Sequence, residues 1–133
     1  MQLSERLHGS LGALYEKGKN VRHNNAEALK WFRLAAEQGY GKAQYYLGLM
    51  YQSGNGVEQN SAEAVKWFTS AAEQGDLNAI TTLADMYLHG RGVDKNYEEA
   101  TNWFGIAAEN GDERSRPAFE SLGKDLLTKD DAE

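Results

Sequence analysis

Residues 47–75 read Leu-Gly-Leu-Met-Tyr-Gln-Ser-Gly-Asn-Gly-Val-Glu-Gln-Asn-Ser-Ala-Glu-Ala-Val-Lys-Trp-Phe-Thr-Ser-Ala-Ala-Glu-Gln-Gly, and their landmarks recur 36 residues to either side. Tyr51 has counterparts in Tyr15 and Tyr87, and Trp67-Phe68 in Trp31-Phe32 and Trp103-Phe104. Ala71-Ala72 and Gly75 are matched by Ala35-Ala36 and Gly39 upstream, and by Ala107-Ala108 and Gly111 downstream. A repeat of this period is one supersecondary unit that buries its apolar face only against its neighbours. The chain is therefore expected to be an all-α solenoid whose function lies in a binding surface rather than a reaction centre.

Within each copy the pattern reads helix, turn, helix. Ala43, Leu47, Met50 and Tyr51 fall at i, i+4, i+7 and i+8, one face of a first helix. Leu11, Leu14 and Tyr15 match them upstream, and Ala79, Leu83, Met86 and Tyr87 downstream. The second helix carries Ala64, Trp67, Phe68, Ala71 and Ala72, where small alanines let helices approach and the rings fill the gaps. Asn24, Asn60 and Asn96, each followed three residues later by Glu27, Glu63 and Glu99, predict N-caps with a reciprocal capping box. Gly39, Gly75 and Gly111 are expected to end the second helices, and Gly18, Gly54 and Gly90 the first. In the loops between, Asn20, Gly56 and Gly92 are expected to be left-handed, since Asn is the side-chain-bearing residue that best tolerates that region.

The three repeats span 7–42, 43–78 and 79–114, within one domain over residues 1–133. After them the pattern decays. Residues 113–128 are read as a single capping helix with Pro117 in its first turn, and 129–133 as a polar tail.

Composition narrows the function classes. The net charge of −6 argues against nucleic acid, which demands a basic face. With no cysteine in the chain, neither a disulfide framework nor a thiolate metal site can form. No apolar run is long enough to span a membrane, and the first residues lack the apolar stretch of a signal peptide. The expectation is a soluble, cytoplasmic protein, with a periplasmic or secreted location left open if a leader has been removed.

Leu47-Gly48, Tyr51, Gly54, Gly56-Val57, Ala64, Trp67, Ala71-Ala72 and Gly75 together resemble the motif of the Sel-one-like repeat (SLR) family, a relative of the tetratricopeptide repeat. The third copy departs from it at Ala84, and the first at Leu7 and Asn20. The resemblance implies a right-handed superhelix of antiparallel helix pairs, and adaptor, scaffold or inhibitory binding roles, often in bacteria, with no shared reaction. Some secreted members staple each repeat with a cysteine pair, which this chain lacks.

Residues that elsewhere carry chemistry find little support. His8, His23 and His89 show no metal-ligand spacing, so no metal and no cofactor are implied. Ser121-Leu122-Gly123-Lys124 fits the Ser-x-x-Lys nucleophile motif, which would make the chain a small hydrolase of cell-wall fragments or β-lactams. Its companion motifs Ser-Asp-Asn and Lys-Thr-Gly are missing. The Gly-x-Gly turns lack the third glycine and the strand of a dinucleotide site, and the Trp-Phe pairs are read as core.

Helical geometry instead points to a groove on the face of the first helices. With Ala43, Leu47 and Tyr51 turned inward, Lys42, Tyr45, Leu49, Gln52 and Ser53 face a partner. One period later stand Asn78, Thr81, Asp85, Leu88 and His89, and one period earlier Arg6, Gly9, Ala13, Glu16 and Lys17. Tyr45, Leu49 and Leu88 supply apolar anchors. Ser4 and Asp112 are read as N-caps, which places Arg6, Lys42 and Arg114 in the first turns of three helices, where cations oppose the helix dipole. That row predicts a protein or peptide partner with acidic residues flanking an apolar one. The chain itself is expected to be a monomer. A structural fragment that stacks end to end with further repeats is the remaining reading.

Overall fold

The computed structural model describes the backbone of residues 2–21 and 23–132, and the side chains of residues 11–21 and 23–124. Among them, helices α1 (Gln2–Asn20), α2 (Asn25–Glu37), α3 (Gly41–Ser53), α4 (Ser61–Glu73), α5 (Leu77–His89), α6 (Tyr97–Glu109) and α7 (Ser115–Ala132) follow one another without a strand. Each helix packs mainly on its neighbours in the chain, the quasi-one-dimensional arrangement of a helical solenoid. Helices α1, α3 and α5 are the first helices of their repeats, and α2, α4 and α6 the second.

The N-caps form as the sequence predicts, but only by half. Asn24, Asn60 and Asn96 accept the N–H of Glu27, Glu63 and Glu99 on Oδ1 at 3.2, 3.1 and 3.0 Å. The reciprocal half has no donor left to satisfy in the later repeats, because the N–H groups of Asn60 and Asn96 donate to the Tyr51 and Tyr87 carbonyls at 2.8 and 2.9 Å. These bonds pin the last turn of a first helix to the start of the second.

The apolar stripes meet in a continuous core. Phe32 and Phe68 are buried along with Leu47, Ile80, Leu83 and Met86, and alanines such as Ala64, Ala71 and Ala79 fill the helix crossings. The two members of each Trp-Phe pair differ. Trp31, Trp67 and Trp103 are half-buried at the rim, so the phenylalanine is the core anchor in the first two repeats. Phe68 rests on bare backbone: a Cβ on Gly48 would lie 2.7 Å from its ring. The third repeat has Ala84 in that column, and Phe104 is half-buried rather than buried.

Several boundaries differ from expectation. Gly18 does not end α1; it lies inside the helix with the Phe32 ring against it. Asn20 is not left-handed, since among the described residues only glycines have positive φ. Gly56 and Gly92 do adopt φ 75° and 74°. The reason lies in the neighbours: a Cβ on Gly56 would meet the Asn25 carbonyl oxygen at 2.7 Å, and one on Gly92 the Ser61 oxygen at 2.6 Å. Each of these loops presses on the second helix of the preceding repeat. In the first repeat, by contrast, α1 runs on through Gly18 to Asn20.

Helix α7 starts at Ser115, later than expected, and continues through Ala132 across the stretch read as a polar tail; Glu133 lies outside the described residues. Pro117 explains the late start. It has no N–H for the carbonyl of residue 113, so a helix begun at 113 would lose a bond at once, whereas from Ser115 the proline sits in the first turn. Asp112 is therefore not the helix N-cap, and Arg114 precedes the helix. Likewise α1 begins at Gln2, so Ser4 is inside it and not a cap. In α7, Phe119 packs on Gly105, while the exposed Glu120 stands in register with Gly48 and Ala84.

Candidate binding clefts between the first two repeats

A cluster of rings joins the first two repeats. Tyr46 stacks on Phe32, with centroids 5.1 Å apart and planes 13° off parallel. Tyr15 lies 5.5 Å from both Tyr40 and Tyr46. Tyr45 meets Tyr46 edge-on at 5.8 Å and Phe68 at 5.7 Å. Offset and tilted pairs of this kind hold rings in fixed orientations.

Two clefts open on either side of Tyr46. The first, about 230 Å³, is lined by Asn25, Ala28 and Phe32 of α2, by Tyr46, Leu49, Met50 and Ser53 of α3, and by Asn55. Its floor is aromatic and aliphatic, and its rim offers two amides and a hydroxyl. The second, about 150 Å³, is lined by Tyr15, Lys42, Tyr45, Tyr46, Asp76 and Asn78. Lys42 also borders a shallower hollow of about 300 Å³ with Tyr40, Gly41, Gln74, Gly75 and Asp76. Apolar walls with a few convergent polar groups are what a ligand-binding depression requires.

The electrostatics keep two of these rings neutral. Burial, reinforced by the neighbouring Tyr46 hydroxyl, pushes the Tyr15 phenol up from its ordinary value. Burial also raises Tyr45, against a hydrogen bond with Thr82. Both phenols thus stay protonated and act as neutral hydrogen-bonding groups.

The expected groove residues do not form one row. Lys42, Tyr45 and Asn78 come together in the second cleft, and Leu49 lines the first with Ser53. Gln52 lines neither cleft; its backbone carbonyl accepts Gln59 Nε2 at 2.7 Å. Thr81 bonds back to the Leu77 and Asn78 carbonyls. Asp85 is held by His89 at 3.2 Å and Arg91 at 3.8 Å, and Leu88 is half-buried. Arg114 donates from Nε to Asp112 at 3.2 Å. The Arg6 side chain lies outside the described residues.

The row of three first-turn cations is therefore corrected. Lys42 is in the first turn of α3, which has no acidic residue there, but it shares its cleft with Asp76. Arg114 precedes its helix and is paired. Ser121 and Lys124 stand exposed on α7, outside the clefts.

Sequence reasoning missed Tyr46, which both clefts share. The available signal was its column, where the other copies hold Ser10 and Thr82. It also missed Asn25 and Asp76, whose positions at helix starts become cleft walls only when repeats stack.

Comparison with known proteins follows this geometry. The pattern described as Sel1 repeat matches residues 10–40, 41–76 and 78–112. A Sel1 repeat protein from Oxalobacter formigenes is 43% identical with a TM-score of 0.73, the match covering 84% of this chain and 46% of that one. The protective antigen c5321 of uropathogenic Escherichia coli, which displays an SLR fold, is 42% identical with a TM-score of 0.70, over 81% of this chain and 23% of its own. Helicobacter pylori cysteine rich protein B is 25% identical with a TM-score of 0.64, over 67% of each chain. This chain spans less than half the length of the first two. No curated protein sequence matches it.

Proposed function

The chain belongs to the Sel1 repeat family, whose members are generally protein-interaction modules, and we propose that it holds a partner segment across its first two repeats, at Tyr46. The observation that carries this reading is the pair of clefts sharing that ring: one apolar with an amide rim, the other bearing Lys42. An extended segment crossing Tyr46 would seat an apolar side chain against Phe32, Leu49 and Met50. It would then bring a carboxylate to Lys42.

Charge distribution supports an acidic partner. Residues 7–42 hold six lysines and arginines against three acids, whereas residues 79–133 hold six against twelve. A negatively charged segment is steered to the first repeat despite the net charge of −6. The role is adaptor, scaffold or inhibitory binding rather than catalysis, as Sel1 repeat proteins are typically non-catalytic. Ser121 and Lys124 belong to neither cleft. No helix among the described residues is long and apolar enough to cross a membrane.

Selection of binders from a random peptide library tests the reading. Enriched peptides should carry an apolar residue flanked by acids. Their affinity should fall about tenfold or more in Leu49→Glu, and should weaken as salt rises. Enriched peptides without an apolar residue, or with unchanged affinity for Leu49→Glu, would remove the site from this cleft.

A further inference from the structure

The loop between α3 and α4 carries a reactive pair beside the first cleft. Asn-Gly occurs twice in the chain, at Asn55-Gly56 and at Asn110-Gly111. In such a pair the backbone nitrogen of the glycine can attack the side-chain carbonyl carbon of the asparagine, because no Cβ on the second residue shields the approach. The attack requires a side-chain amide free to turn and a glycine N–H without an acceptor.

Those requirements separate the two pairs. Asn55 is exposed, and its side-chain amide joins no hydrogen bond with the described residues. The N–H of Gly56 donates to none of the described residues either. At the other pair, Asn110 Nδ2 donates to the Ile106 carbonyl at 2.8 Å, and the Gly111 N–H to the Ala108 carbonyl at 3.1 Å. Both reacting groups are thus tied down at 110–111 and loose at 55–56. The corresponding loops hold Lys19-Asn20 and Arg91-Gly92, neither of which is an Asn-Gly pair. Among these loops, only the one whose Asn lines the first cleft can react.

We infer that Asn55 is a site of spontaneous deamidation, which sets a carboxylate on the rim of the first cleft. The Gly56 nitrogen gives its proton to solvent base and bonds to Asn55 Cγ. The Cγ–Nδ2 bond then breaks, and the amide nitrogen takes a proton from solvent and leaves as ammonia. Water opens the cyclic imide at either carbonyl. One opening gives aspartate, and the other gives isoaspartate, whose main chain is lengthened by running through Cβ. The first product changes only charge. Asn55 lines the cleft with Leu49 and Ser53, so its carboxylate faces the acids that flank the partner's apolar residue. The second product also displaces Gly56, which lies so close to Asn25 that a Cβ on it would meet the Asn25 carbonyl oxygen at 2.7 Å. Either product weakens the hold on an acidic partner. The reaction stands on the two free groups alone, whereas its effect on binding rests on the partner proposed above.

Ageing of the folded full chain at mildly alkaline pH, beside the chain unfolded in urea, provides the test, with mass spectrometry of digests as the readout. In the folded chain the amide-to-acid mass gain should appear at Asn55 about tenfold or more faster than at Asn110, whose reaction waits for local opening. In urea the two should react at similar rates. Equal rates in the folded chain, or an Asn55 that reacts in urea but not when folded, would overturn the inference. Asn55→Asp should weaken binding of an acidic peptide from the library selection about two- to fivefold at low salt. No change in Asn55→Asp, where Leu49→Glu does lose affinity, would overturn the effect on the cleft. Silence of both variants would instead move the peptide off the cleft.

Discussion

Gly48 is the residue on which the packing account can be tried most sharply. A methyl group there would lie 2.7, 2.8 and 3.1 Å from atoms of the Phe68 ring, where carbon atoms normally rest at about 3.5 Å or more. The ring must retreat by roughly 0.7 Å to restore normal contact, yet it is fully buried and bounded by Tyr45. Overpacking of this kind costs about 1–3 kcal/mol. Replacing a helical glycine by alanine returns roughly 1 kcal/mol. Gly48→Ala should therefore lose about 0–2 kcal/mol. In a Phe68→Leu background the clash is gone and only the helical gain remains, so the same substitution should stabilise by up to about 1 kcal/mol. Urea unfolding of the four proteins, followed by far-UV circular dichroism, gives the coupling directly. An effect of Gly48→Ala that agrees in both backgrounds to within about 0.5 kcal/mol would refute the claim that Phe68 packs on bare backbone.

Other substitutions separate the repeats from one another. Gly56→Ala and Gly92→Ala should each cost about 2 kcal/mol or more, from left-handed strain plus the close approach to Asn25 and Ser61, while Asn20→Ala stays within about 0.5 kcal/mol; equal losses in thermal melts at all three positions would contradict this. Among the described residues Trp67 Nε1 is buried without a hydrogen-bond partner, whereas Trp31 Nε1 donates to Glu27, so chemical denaturation should show Trp67→Phe better tolerated than Trp31→Phe. The Ser115 hydroxyl, and then Arg114, hold the Asp112 carboxyl below the ordinary aspartate value. Its contribution is present above about pH 4 and lost as pH falls through the lowered value. Asp112→Asn should accordingly lower the melting temperature at pH 7, with the difference vanishing in strong acid.

The repeat made most of the fold legible. The stripe Ala43, Leu47, Met50 and Tyr51, the Asn caps and the glycines at 39, 75 and 111 are local signals. A local signal repeated three times is seldom overridden by tertiary contacts. What could not be read depends on which unit stands next to which. Gly18 and Asn20 look like Gly54 and Gly56, but α1 runs past both, whereas Gly56 and Gly92 press on Asn25 and Ser61 of the neighbouring second helices. Pro117 delays α7 to Ser115 through its missing N–H, a constraint of backbone bonding that is visible in the sequence. The clefts were the least legible, because Tyr46 and Leu49 come from one helix, Asn25 from the helix before it, and Asp76 from the start of the helix two elements on. Only stacking brings those columns together.

The claim that the first two repeats hold the partner is tested most directly by mapping amide chemical shifts while an acidic, apolar-anchored peptide from the library selection is titrated in. The account predicts shifts concentrated in residues 25–32, 42–55 and 76–78, with α7 unaffected. Shifts centred on α6 and α7, with the residues around Tyr46 silent, would contradict it.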